Sequence, residues 1–159
     1  MKTLVTFFSA TGTTAKAAEL LSDAIGADLC EIRPEVLYTK EDLNWMDPDS
    51  RSSKEMKDKA FRPAIAKKDA GVEKYDVIFV GFPIWWYVAP TIINTFLESY
   101  DFSGKKIVLF ATSGGSGFGK TVEELKCSVP KSAELIQGEL MNGKQTYDSV
   151  REWVAKLRV

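Results

Sequence analysis

Histidine is absent from all 159 residues of this chain. That removes the commonest general base at neutral pH and the commonest metal ligand. Only two cysteines occur, Cys30 and Cys127, far apart and outside any C-x-x-C pair, so neither a zinc site nor a dithiol motif is supported. Two reduced, mostly buried thiols in a cytoplasmic protein are the expectation. Charge of one sign is not in excess either: the formal net charge of −1 gives no reason to expect nucleic acid or an anionic membrane as partner. No apolar run reaches membrane-spanning length, and Met1-Lys2 with the short run after it falls below a signal-peptide core. A soluble, cytoplasmic protein follows.

What is present is ordinary globular material, 45% hydrophobic and 27% charged, of a length that suits one domain over residues 1–159. Thr3 to Phe8 reads as a buried strand, and Ala17, Ala18, Leu21 and Ile25 follow at helical spacing, with Gly26 placed to end that helix. Ala27 to Ile32 reads as a second strand. Val77 to Phe82 is apolar without alternation, as in a strand covered on both faces. Pro90 opens a helix whose apolar face is Ile92, Ile93, Phe96 and Leu97. A strand over Lys106 to Thr112, a helix over about Phe118 to Cys127 and a weaker edge strand over Ala133 to Gly138 come next. Val150, Trp153, Val154 and Leu157 stripe a final helix.

Alternating strands and helices imply an α/β fold, a doubly wound five-stranded parallel sheet with helices on both faces. The common order for this count is 2-1-3-4-5, with ligands at the carboxyl ends of strands one and three. The stretch from Arg33 to Lys74 is too long for a simple crossover. It holds Tyr38, Trp45, an Asp47-Pro48-Asp49 turn and Ser52-x-x-Glu55, a capping-box pattern, and is expected to form short extra helices.

Three loops stand where a ligand belongs. Ser9-Ala10-Thr11-Gly12-Thr13-Thr14, between strand and helix, makes a neutral phosphate cradle of hydroxyls and helix N–H groups; its bland alternative is a capped turn. Pro83-Ile84-Trp85-Trp86-Tyr87 follows the third strand, and its aromatics suit a planar, electron-poor ring or else plug the core. Thr112-Ser113-Gly114-Gly115-Ser116-Gly117-Phe118-Gly119 follows the fourth strand, where glycines let backbone approach a ligand closely. Gly114-x-x-x-x-Gly119-Lys120-Thr121 also satisfies a Walker A pattern. The neighbouring strands end without the aspartate that a P-loop NTPase needs for Mg²⁺, which leaves a nucleotide-binding module as a remote alternative.

Together the three loops resemble those of the flavodoxin family, specifically a short-chain flavodoxin-like protein, and the resemblance spans nearly the whole chain. The segment Tyr38 to Trp45, with Ser50-Arg51 and Arg62-Pro63, is similar to a branch with a decorated second connection. The resemblance implies flavin mononucleotide (FMN), held non-covalently, with Ser9, Ala10, Thr11, Gly12, Thr13 and Thr14 around the phosphate. It places Pro83, Ile84, Trp85, Trp86 and Tyr87 beside the ring, and Thr112, Ser113, Gly114, Gly115, Gly117, Phe118 and Gly119 at its edge. Where the family often has a glycine beside the flavin, this sequence has Trp86-Tyr87-Val88. The implied job is electron transfer between a flavoprotein reductase and acceptor enzymes. The alternative is an FMN-dependent NAD(P)H reductase acting on quinones or similar small acceptors. No nicotinamide fingerprint and no acid–base pair are visible; Arg51 and Arg62 are possible contacts for a partner or an anionic substrate.

Overall fold

The computed structural model describes residues 2–66 and 70–159. Met1 and residues 67–69 of the long second connection lie outside them. Five strands, β1 (Thr3–Phe7), β2 (Asp28–Glu31), β3 (Val77–Pro83), β4 (Lys106–Thr112) and β5 (Glu134–Leu140), form one sheet in the order β2-β1-β3-β4-β5. Every pairing is parallel. The helices are α1 (Thr13–Ile25), α2 (Arg51–Lys57), α3 (Thr91–Ser99), α4 (Thr121–Leu125) and α5 (Tyr147–Leu157), with single 3₁₀ turns at Val72–Lys74 and Lys126–Ser128. No helix among the described residues is long and apolar enough to cross a membrane.

The sheet separates two hydrophobic layers. Ile78, Val80 and Phe82 point from β3 toward α3, where Ile92, Ile93, Phe96 and Leu97 meet them. Val77 and Phe79 point the other way, toward Ala18 and Leu21 of α1 and Val150 and Trp153 of α5. This two-sided burial explains the unalternating sequence of the central strands. At one place the sheet itself makes room: Gly81 pairs with Phe110, and a Cβ on Gly81 would come within 2.2 Å of the Phe110 ring.

Several boundaries differ from the sequence reading. The helix expected to span Phe118 to Cys127 has only five α-helical residues and ends in a 3₁₀ turn, because Phe118 is drawn down into the core ahead of it. The expected capping box at Ser52 does not form. Ser50 is the N-cap of α2, its side chain accepting from the Ser53 N–H at 3.3 Å, while Ser52 is buried inside the helix. Glu55 turns inward to Tyr38 and Arg51 instead of reaching back to the helix start. Of the two thiols, Cys30 is half-buried and Cys127 is exposed, since the 3₁₀ turn carrying Cys127 lies at the surface.

Sheet register fixes the level of the loops. Pro83 sits opposite Thr112, and the Ile84 N–H donates to the Thr112 carbonyl at 2.9 Å, so the second and third loops leave the sheet side by side. The Phe8 N–H donates to the Gly81 carbonyl at 2.9 Å, which brings the first loop to the same edge.

Candidate functional site

The first loop turns into α1 through Gly12, whose φ of 93° reverses the chain. A helix start commonly carries a side-chain acceptor for its unpaired N–H groups. None is present here: Gly12 is the N-cap and no side-chain cap bond is made. The hydroxyls stand around this bare end. Ser9 Oγ accepts the Gly12 N–H at 3.0 Å, and the Thr11 and Thr13 hydroxyls approach to 3.4 Å. Thr11 and Thr13 are exposed, whereas Ala10 leans on the core and Thr14 is buried. Open N–H groups at the start of a thirteen-residue helix, with hydroxyl donors and no acidic residue in the first turn, present the donors and partial positive charge that an anionic group requires.

The Thr14 hydroxyl spans the site, lying 2.7 Å from the Thr112 hydroxyl and joining the first loop to the third. The third loop is pinned from two sides. The Ser113 N–H donates to Asn142 Oδ1 at 2.8 Å, and the Gly115 N–H donates to Ser113 Oγ at 3.0 Å. Gly114, Gly115, Gly117 and Gly119 remain exposed while Phe118 is buried against Phe82. Asn142 escaped the sequence reading. Its signal is the Asn142-Gly143 turn directly after the edge strand.

The second loop divides its aromatics. Trp85 and Val88 exchange backbone hydrogen bonds at 2.9 and 3.1 Å, closing a two-residue turn. Trp86 and Tyr87 occupy its tip with φ values of 49° and 68°, the left-handed region that favours glycine. The backbone shape that glycine usually supplies is therefore reached without it. Trp85 turns inward and meets Phe8 and Tyr38 edge-on, at centroid distances of 5.7 and 5.5 Å. Trp86 and Tyr87 turn outward, 43% and 67% exposed. The core-packed ring and the outward-turned rings are thus different members of one cluster. The Tyr87 carbonyl lies so close to Gly119 that a Cβ there would come within 2.4 Å, and Gly119 itself has φ 52°, so this contact needs glycine.

Tyr38 is the hidden support of this loop. Its hydroxyl donates to the buried Glu55 carboxylate, and the Arg51 guanidinium lies 3.8 Å from its ring centroid. Burial, then the hydrogen bond to Glu55, pushes the phenol far above its ordinary range. Arg51 is committed elsewhere too: Nε donates to Glu55 at 3.0 Å, and Nη1 to the Val36 and Leu37 carbonyls at 2.9 and 3.3 Å. Arg62 is likewise committed, to Glu98 through Nε and Nη2 at 2.9 and 3.1 Å. Both arginines that the sequence offered as contacts for an anion or a partner are paired with carboxylates of this chain, Arg51 with the buried Glu55 and Arg62 with Glu98 at the surface.

The Walker A pattern does not form a P-loop. The Thr121 hydroxyl is buried and donates to the Phe118 carbonyl, so it does not face a ligand. Lys120 is exposed at the start of a five-residue helix.

A family model described as flavodoxin matches residues 2–157. The chain belongs to the flavodoxin family. Among solved structures, this flavodoxin-family chain is similar to a putative flavoprotein from Bacteroides eggerthii, at 47% identity over 99% of this chain and 98% of the other, with TM-score 0.93. A putative flavoprotein from Bacteroides uniformis matches at 47% identity over 97% of both chains, with TM-score 0.90. A flavoprotein from Lactobacillus acidophilus, solved in complex with FMN, shares the fold at 22% identity over 96% of this chain and 98% of its own, with TM-score 0.71. No protein of curated function matches.

Proposed function

We propose that this flavodoxin-family chain binds FMN and carries electrons from a flavoprotein reductase to an acceptor. The observation that carries the reading is the bare N-terminus of α1, uncapped by any side chain and ringed by the hydroxyls of Ser9, Thr11 and Thr13. The fold neighbour that holds FMN supports the same choice of cofactor. Two thiols, Cys30 and Cys127, joined in no disulfide among the described residues, suit a cytoplasmic setting.

FMN, when bound, supplies the redox chemistry, and the protein supplies binding, orientation and electrostatics. Hydroxyl and N–H donors around α1 hold the phosphate without a cation. The Thr14–Thr112 bond locks that cradle to the third loop, so phosphate and ring sites keep a fixed separation. Ser113 to Gly119 offers backbone groups to the ring edge. Trp86 and Tyr87 cover the ring and exclude water, while Trp85, braced by Phe8 and Tyr38, holds their turn in place.

Thr11→Ala tests the cradle. Loss of one charge-assisted contact should weaken FMN by about 1–3 kcal/mol and leave riboflavin, which lacks the phosphate, nearly unchanged in a calorimetric titration of the apoprotein. Equal loss for both ligands, or wild-type affinity for riboflavin matching that for FMN, removes the phosphate role of the loop.

A second reading, an FMN-dependent NAD(P)H reductase of small acceptors, is favoured by one observation: a cavity of about 360 Å³ opens beside Trp86.

A further inference from the structure

None of the residues lining that cavity belongs to the phosphate loop or the glycine loop, so it is a separate site from the cradle. Its walls come from three places, one of them α4, which supplies Glu124. The long second connection supplies Trp45, Met46, Met56 and Lys57, and the aromatic turn supplies Trp86 and Val88. Trp45 and Met46 are 69% and 73% exposed, unusual for such large apolar side chains, and they line the cavity together with Trp86. A volume of about 360 Å³ lies at the lower end of the range for small-molecule sites, about 300–1,000 Å³. A docked protein needs a broad face of about 800 Å² instead.

The charges at the rim narrow the ligand further. Lys59 and Glu124 both line the cavity and are paired with each other, so their charges cancel. Lys57 is exposed and its ammonium donates only to the Pro48 carbonyl, at 3.0 Å, among the contacts of the described residues. That bond positions the cation without neutralising it. Two tryptophans favour a flat aromatic ring, and one uncompensated ammonium beside them favours a negative group on it.

The geometry points to this cavity as the binding site of a small planar aromatic anion, such as an acidic quinone, that serves as the electron acceptor. The acceptor role rests on the FMN reading; the binding does not. As acceptor, a quinone held here gains two electrons from the reduced flavin across Trp86, the flavin's protons pass to water, two protons from water complete the quinone, and it leaves as the hydroquinone. Trp86 is the shared wall, belonging both to the ring loop and to the cavity.

Anthraquinone-2-sulfonate is the probe, titrated into apoprotein and holoprotein by tryptophan fluorescence and by calorimetry. Saturable one-to-one binding is expected in both forms. Trp45→Ala should weaken it about tenfold. Lys57→Met should weaken it about threefold, the effect of one exposed charge, while a neutral 2-(hydroxymethyl)anthraquinone shows no difference between wild type and Lys57→Met. Trp45 and Lys57 are exposed, so both variants should fold, and both should retain FMN with unchanged affinity. Absence of saturable binding, or binding that neither substitution alters, overturns the site. So does a complex with a flavoprotein reductase that displaces the probe, which would make this face a protein-docking surface. Failure of wild-type protein to bind FMN would remove the acceptor role alone, since the apoprotein titration reports the site independently.

Discussion

Tyr87 illustrates how far a single residue departs from its own preference. A bulky side chain at φ 68° costs about 1–2 kcal/mol relative to ordinary backbone, and Trp86 beside it is in the same region. Asparagine tolerates this conformation far better. Tyr87→Asn should therefore stabilise the apoprotein by about 0.5–1 kcal/mol, raising Tm by about 2–3 °C, while weakening FMN. Thermal melts with and without FMN check both halves; a destabilised apoprotein would show that the ring, though exposed, anchors the turn. The hydroxyls of the first loop were legible in the sequence because their chemistry does not depend on direction. The division of labour among Trp85, Trp86 and Tyr87 was not. It follows from the Trp85–Val88 pairing and from the place of Tyr38, which lies 47 residues earlier in the chain.

Among elements, the long second connection contributes most that periodicity does not reveal. Its described residues form one short α-helix, and its attachment to the sheet runs through side chains: Tyr38 on Trp85 and Phe8, Glu55 under Tyr38, and Arg51 over the ring. A capping pattern was visible at Ser52 and Glu55, but the buried bond to Tyr38 is the stronger claim on that carboxylate. Tyr38→Phe should cost about 1–3 kcal/mol, because Glu55 loses a partner inside the fold. The phenol's proton is held more tightly in the folded than in the unfolded chain. Its contribution is complete below pH ~10 and declines as pH rises beyond that, when the unfolded chain ionises and the native one does not. Urea midpoints between pH 8 and 11 should thus fall more steeply for the wild type than for Tyr38→Phe. Parallel curves would mean that Tyr38 titrates normally.

For the molecule as a whole, strand order was legible because five apolar runs separated by helical stripes leave few right-handed arrangements. The site's edge was legible for the same reason, since topology alone places three loops at the carboxyl ends of β1, β3 and β4. The cavity was not, because its walls come from segments about forty residues apart and only folding brings them together. A carrier and a reductase differ in what reduces them. Anaerobic holoprotein mixed with NADH or NADPH alone should bleach slowly or not at all, and rapidly once a flavoprotein reductase is added. Fast reduction by the nicotinamide alone, followed by turnover on a quinone, would make the protein an enzyme.

The pairing of Gly81 with Phe110 has a consequence for descent. With 2.2 Å between a would-be Cβ and the ring, neither position is free to drift by itself. Any side chain at 81 demands a smaller residue at 110, and a smaller residue at 110 leaves a hole over 81 until something fills it. The two positions can change only as one unit. Because both lie just before the strand ends that launch the second and third loops, change in that unit is also change in how far apart those loops stand.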